Sequence, residues 1–535
     1  MSSSRSWGGL LTLVVASTGC ASTAPGWAVA QTANVRLRSD LGEEITRAQA
    51  DRFQAVHDVL QASIVECKPD PPLPRIQVTL LSAESYDALR GSSTSGFFAR
   101  NSFGYVADMN DHIVVRAGDS TPADQTFQHE LSHRFVAACF PAAPTWLNEG
   151  LAGYFETLEL RDDVLEVGLP PFTLSDFAYR PMQSRDKGRR VLMVSATRLP
   201  SLHDLIRLTP ENYYRFTDRN EDLDQTAYHY AASWALVHFL ELGEPKLSTR
   251  FHSYLRTLWD PSTDPVASFE ATFDQRDLET RFDAYLHSPA PHPSIDTASV
   301  DRLGSAEGQP ASVRRMSDAE AELHSAWLLT SVGGSRSLTD AHLQAALRDP
   351  AQRVGAMALQ ALLAAGAGDM LRARTLMSQV REAAPNDVEL LALALEIELE
   401  MKPQVTGPGG ASAQDVDAGA LTVWRGQVRA LNVKLRPSAR TPNALRVLSR
   451  SDLALGDPAL ALDHINQSIA LYPSHWASRV QRARACMANG LGECTLAELR
   501  VALNLVPHDA TRAREGILEF ERQVRSELNL PAASP

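Results

Sequence analysis

The chain has 535 residues, with 51 Lys+Arg against 64 Asp+Glu, five Cys and 44% hydrophobic residues. At one domain per ~100–200 residues this makes two to four domains, and the ordinary composition excludes collagen-like, wholly disordered and disulfide-dense small scaffolds. A net charge of −13 argues against a general nucleic-acid binder, whose electrostatic footprint is basic.

The N-terminus reads as a leader over residues 1–30. Arg5 supplies a short positive region, and Leu10 to Ala16 is an apolar run. That run is too short to span a bilayer, which needs ~20 apolar residues, and it fits a secretory signal. Two exits are open. Ala28-Val29-Ala30 before Gln31 is an A-x-A cleavage site, whereas Ser17-Thr18-Gly19-Cys20 resembles a bacterial lipobox in which Cys20 becomes lipidated. The expected location is therefore outside the cytoplasm, either in a bacterial envelope or periplasm with or without a lipid anchor, or secreted. Membrane contact is expected only through that anchor. Export changes the reading of the other four cysteines: Cys67–Cys139 and Cys486–Cys494 would each pair within one domain, and oxidising surroundings permit both.

Residues 31–287 read as one mixed unit. Asn34 to Arg38, Ile76 to Leu81 and His112 to Arg116 have strand propensity, and Ile45 to Val65 has helical apolar spacing. From Thr126 the pattern turns helical: Phe127 to Ala138, Leu147 to Leu158, Ala227 to Leu242 and Lys246 to Leu258. Opening strands followed by helices suggest an α+β unit.

Within it, His129-Glu130-Leu131-Ser132-His133 is an H-E-x-x-H pattern. On a helix, i and i+4 share a face, so both imidazoles can reach one ion while Glu130 points at a water on it. Glu149 lies 16 positions beyond His133, within Trp146 to Glu156 (WLNEGLAGYFE). That distance suffices to end one helix, turn, and bring up a second. Two His and one Glu are a known catalytic zinc set with an open fourth position.

H-E-x-x-H followed by N-E-G-x-A resembles the gluzincin metallopeptidases, and W-L-N-E-G is similar to the aminopeptidase N relatives among the peptidase MA-like group. The resemblance implies a zincin-like α+β catalytic domain, a small sheet with active-site helices, binding one zinc ion through His129, His133 and Glu149, with Glu130 as general base. It implies that Gly104 to Gly118 is the substrate-side edge strand, where an extended peptide could pair by β-augmentation. Ala227 to Leu240 (AYHYAASWALVHFL) is similar to the family's later helix, which makes Tyr230 the candidate oxyanion donor, with Tyr228 and His229 as rivals. Two departures stand out. Gly153 takes the place of the Asp in the thermolysin-like E-x-x-x-D pattern, and the spacer between the helices is shorter than in aminopeptidases. Glu156 could instead support a ligand histidine, and Asn148 could orient the ligand helix or an extended substrate.

Residues 288–313, rich in Pro, Ser, Ala and Gly, read as a linker, and 403–415 as a second one. Residues 314–402 and 416–530 are almost wholly helical. Pro473 and Pro507 lie 34 apart, as do Gly456 and Gly490. Leu453 to Pro473 and Met487 to Pro507 each give a helix end at Gly, a turn, an amphipathic helix and a Pro, which resembles the 34-residue tetratricopeptide repeat. Such stacks offer a concave surface to peptides or partner proteins. The leading expectation is an exported zinc metallopeptidase acting on a peptide or protein, whose repeats recruit substrate or partner. The alternative is a weakly active or inactive peptidase-like domain serving an interaction scaffold.

Overall fold

The computed structural model describes residues 26–64, 73–90, 96–99, 112–118, 123–161, 164–171, 179–181, 190–192, 200–214, 220–286, 294–296, 310–403, 418–506 and 510–531. Cys20 and Cys67 lie outside them, as do the proposed leader up to residue 25 and nearly all of the expected second linker.

Five strands from the N-terminal half and one that begins at the end of the expected linker form a six-stranded sheet. These are β1 (Ala28–Gln31), β2 (Val35–Ser39), β3 (Ile76–Leu81), β4 (Gly96–Ala99), β5 (His112–Arg116) and β11 (Ser312–Arg315), in the order β11-β1-β2-β3-β5-β4. The pairs β2–β3 and β3–β5 are parallel, and the remaining neighbours are antiparallel. Two smaller sheets hold β6 (Glu159–Arg161), β7 (Val164–Val167) and β10 (Ser294–Asp296), and β8 (Tyr179–Pro181) with β9 (Arg190–Leu192).

Three expectations change here. Ala28–Gln31 is a strand whose two alanines are fully buried between β11 and β2. Cleavage after Ala30 would remove three of its four residues, so the A-x-A exit is incompatible with this sheet. The expected linker at 288–313 contains β10, paired with β7, and runs into β11, paired with β1. The boundary between the halves thus lies inside the sheet. Finally, His112–Arg116 lies between β3 and β4 and is not the edge strand; the edge among the described strands is Gly96–Ala99.

All six residues of β3 are buried, and the alternation of a strand explains why both faces are covered. Ile76, Val78 and Leu80 point into the main core with Phe53, Phe127 and Leu131. These come from α1 (Glu43–Ser63) and α3 (Ala123–Cys139), and the Phe53 and Phe127 rings stack at 4.0 Å. α2 (Ala83–Arg90) and α4 (Thr145–Phe155) follow β3 and α3 respectively. The other face of β3 carries Gln77, Thr79 and Leu81. Leu81 packs with Tyr86, Val114 and Leu328, and the Thr79 hydroxyl meets the Nε2 atoms of His112 at 2.7 Å and His324 at 2.9 Å.

Around α3 and α4 stand α5 (Leu202–Leu205), α6 (Pro210–Tyr214), α7 (Asn220–Leu242), α8 (Pro245–Thr257), α9 (Pro265–Thr272) and α10 (Gln275–Leu286). Trp146 is core, 1% exposed and against Tyr254 and Phe269.

The C-terminal half is a succession of helices: α11 (Asp318–Ser331), α12 (Arg336–Ala346), α13 (Pro350–Gly366), α14 (Met370–Ala383), α15 (Val388–Glu400), α16 (Ala418–Leu435), α17 (Pro442–Leu455), α18 (Pro458–Leu471), α19 (Trp476–Ala488), α20 (Gly492–Leu505) and α21 (Thr511–Glu527). Their starts are written locally. Asp349, Thr441 and Asp457 cap helices that have Pro in the first turn, where its missing N–H costs nothing. α17 and α19 begin 34 positions apart, as do α18 and α20. Gly456 and Gly490, at φ 90° and 73°, close α17 and α19 in the left-handed conformation. This is a helical-repeat region built of helix hairpins. Cys486 and Cys494 form a disulfide across the α19–α20 turn.

The two halves touch at both ends of the repeats. His324 and Leu328 of α11 lie on the far face of the six-stranded sheet. At the other end, Ala137 of α3 packs with Val501 and Leu505 of α20 and with Trp476. Arg514 of α21 is ion-paired with Glu211 of α6 at 3.0 Å.

Candidate metal centre

α3 carries both histidines of the H-E-x-x-H pattern and α4 carries Glu149. Four positions along a helix bring His129 and His133 onto one face, where their rings meet edge-on with centroids 4.8 Å apart. Glu149 Oε2 lies 3.7 Å from His129 Nε2 and 3.6 Å from His133 Nε2. One ligand atom from each of the three residues falls within 4.8 Å of the others. Tetrahedral zinc with ~2.1 Å bonds puts its ligand atoms about 3.4 Å apart, so two of these separations come close to that geometry.

The electrostatics fit the same group. Glu149 is 4% exposed and its Oε2 is buried without a hydrogen-bond partner. A buried carboxylate oxygen aimed between two imidazole nitrogens calls for a cation. Burial would raise the Glu149 carboxyl, but His133, His129 and the Tyr214 hydroxyl outweigh it and hold it at about 2. Burial also disfavours charge on His129; Glu149 and Glu156 overcome this and push the imidazole well above its ordinary value. Both shifts have one cause: the carboxylates favour positive charge at the position between the two rings. Two imidazoles and one carboxylate are a donor set that could hold a divalent transition-metal ion, zinc among them.

Glu156, just past the end of α4, places Oε2 3.0 Å from His129 Nδ1. A carboxylate on the outer nitrogen fixes the ring's orientation and leaves Nε2 facing Glu149. Glu130 is half-buried on α3, and its charge acts on both His129 and Tyr230. Asn148 Oδ1 is buried without a hydrogen-bond partner.

The approach of α4 to α7 depends on the glycine of the N-E-G triplet. A Cβ on Gly150 would meet the Ser233 carbonyl oxygen at 2.6 Å and Val237 Cγ2 at 2.7 Å. Its absence lets α7 bring Tyr230 to the site. The Tyr230 ring packs against Tyr213 and Tyr214, with centroids 5.6 and 6.3 Å away. Burial and then Glu149 raise its hydroxyl well above the ordinary phenol value, so it remains an O–H donor. Of its rivals, His229 is committed elsewhere. Its Nδ1 lies 2.6 Å from the Tyr213 carbonyl and its Nε2 3.2 Å from Gln225. Tyr228 is half-buried on the same helix.

Tyr214 is a site residue that sequence reasoning missed. Its hydroxyl donates to Glu149 Oε1. No spacing ties Tyr214 to the H-E-x-x-H pattern; its only mark was a pair of adjacent tyrosines before a motif-bearing helix. Cys139, at the end of α3, is disulfide-bonded, and its expected partner Cys67 lies outside the described residues.

No protein-family model matches the chain, and none of the curated proteins does. Among solved structures, the chain is similar to the crystal structure of TTC0263, a thermophilic TPR protein in Thermus thermophilus. The two share 17% identity with a TM-score of 0.32, over 40% of this chain and 100% of that one. The helix-hairpin organisation described above stands on the 34-residue spacing of α17 to α20 themselves.

Proposed function

We propose that the N-terminal half is a zinc-dependent peptidase and that the repeats recruit its protein substrate or a partner. The observation that carries the reading is the convergence of His129, His133 and Glu149, backed by Glu156 on His129 and Tyr214 on Glu149. One zinc ion held by the three residues would supply Lewis-acid chemistry at a peptide carbonyl.

The remaining roles belong to the chain. Glu130 accepts a proton from the attacking water as its oxygen bonds to the carbonyl carbon. It then delivers that proton to the amine as the C–N bond breaks, so the carboxylate is regenerated. The protonated Tyr230 hydroxyl donates to the oxygen on which negative charge develops. Asn148, with its unpartnered amide oxygen, is assigned to an N–H of the substrate backbone. Glu156 and Tyr214 hold the ligands in register. Export to an oxidising compartment, through processing at Cys20 or elsewhere upstream of Trp27, fits the Cys486–Cys494 bond.

The test is metal quantification on the full chain, joined to cleavage of a denatured-protein mixture by wild type and Glu130→Gln. About one zinc per chain is expected in both forms, with chelator-sensitive cleavage reduced roughly 10²–10⁴-fold in the variant. Equal cleavage by both forms sinks the peptidase reading. A protein without metal or activity would leave the scaffold alternative standing.

A further inference from the structure

Alternate helices of the repeat region, α15, α17, α19 and α21, line one groove of about 390 Å³. Its walls carry Arg446, Arg450, Arg484 and Arg512 against Glu396 and Glu400. The charges divide unevenly. Arg446 and Arg450 are both held by Glu396, and Arg450 also reaches Glu400. Arg484 and Arg512 have no ion pair among the described residues, and both side chains are exposed. Four guanidiniums facing two carboxylates leave the groove positive, within a chain of net charge −13.

We propose that this groove binds an extended acidic peptide segment, its carboxylates on Arg484 and Arg512 and an apolar or aromatic side chain between Trp476 and Phe520. Each feature of the groove narrows the occupant. Arg presents a planar fork that matches a carboxylate bidentately. Trp476 and Phe520, both half-buried, supply apolar wall between the charges, which a free inorganic anion would leave unused. Glu396 and Glu400, together with the overall negative charge, repel a dense polyanion and favour a segment whose charges are spaced. The floor is open as well, since a Cβ on Gly516 would meet nothing within 4 Å.

The inference gives a chemistry to the recruitment reading and stands apart from the peptidase reading, because binding is measured without turnover. The probes are a fluorescein-labelled peptide with glutamates flanking a phenylalanine, its glutamine counterpart, and inorganic phosphate, titrated into the full chain and followed by anisotropy. The glutamate peptide is expected to bind at least about tenfold more tightly than the glutamine one, with affinity falling as salt is added. Arg484→Glu with Arg512→Glu is expected to lose about tenfold or more. Gly516→Leu, which fills the floor and leaves every arginine in place, is expected to weaken binding of the glutamate peptide too. All three substituted positions are exposed, and circular dichroism checks that each variant is folded. The proposal is overturned by equal binding of the two peptides, by no binding, by affinity unchanged in both variants, or by phosphate binding as tightly as the peptide.

Discussion

Gly150 and Gly456 mark two ways of fixing a backbone. At Gly150, in the N-terminal half, φ is ordinary and space decides: the Ser233 carbonyl oxygen stands 2.6 Å from where a Cβ would be. At Gly456, in the repeats, a Cβ would meet nothing within 4 Å, and conformation decides, with φ at 90°. The contrast runs through both halves. The candidate metal centre joins residues far apart in sequence, such as Glu149 and Tyr214 or His129 and Glu156. The hairpins join neighbours, through caps such as Asp457 on α18 and turns such as Leu491 N–H to Cys486 O. Damage should therefore spread in the first half and remain local in the second.

Gly150→Ala should break this contrast most severely. Overpacking between two helix backbones costs about 3 kcal/mol, the upper end of its usual range. Because the displaced helix carries Glu149, zinc affinity should fall together with the thermal midpoint. Unchanged zinc affinity would show that α4 does not need its close approach to α7.

Removing the Cys486–Cys494 bond by Cys→Ala at both positions comes next. The sequence separation is eight, and a closed loop of that size contributes about 2–3 kcal/mol in the chain-entropy account. The loss should appear in hydrogen exchange of α19 and α20 and leave metal content intact. Gly456→Ala should cost roughly 1–2 kcal/mol, the penalty of a left-handed residue with a Cβ, again without loss of metal.

The smallest effect sharpens the comparison at the seam between the halves. Burial holds His112 down at about 3, and it holds His324 well below the ordinary imidazole value. A histidine whose folded value is depressed contributes no penalty above its unfolded value of ~6.5. It destabilises the fold progressively as pH falls from there toward 3, because the unfolded chain takes up the proton first. Stability should therefore decline below about pH 6.5, and His324→Gln should flatten the decline. An equal slope in the variant would remove this pair from the account.

Much of the candidate site's geometry is legible because it depends on helix periodicity. His129 and His133 needed only the i, i+4 rule, and Glu149 only a turn of adequate length. The strands at 76–81 and 112–116 were legible from their apolar runs, and the repeats from the 34-residue recurrence of Gly and Pro. What escaped depends on pairing at a distance. Ala-Val-Ala is small and apolar, which suits a signal-peptidase site and a buried strand equally, and only pairing with β11 and β2 decides between them. Ser312–Arg315 carries two arginines and follows a Pro/Ser-rich stretch, so its place in the sheet left no mark in composition. Whether 112–116 forms the edge depends on Gly96–Ala99 pairing outside it.

The seam between the halves has a further consequence. The repeats leave the six-stranded sheet through β11 and α11 and return to the N-terminal half through Ala137 and the Arg514–Glu211 pair. The ring they close makes backbone continuity redundant at its junction. A single cut within residues 297–309 would leave an N-terminal fragment and a C-terminal fragment still gripping each other at two separate places. Such a break would leave His129, His133 and Glu149 together on the first fragment and the arginine-lined groove whole on the second.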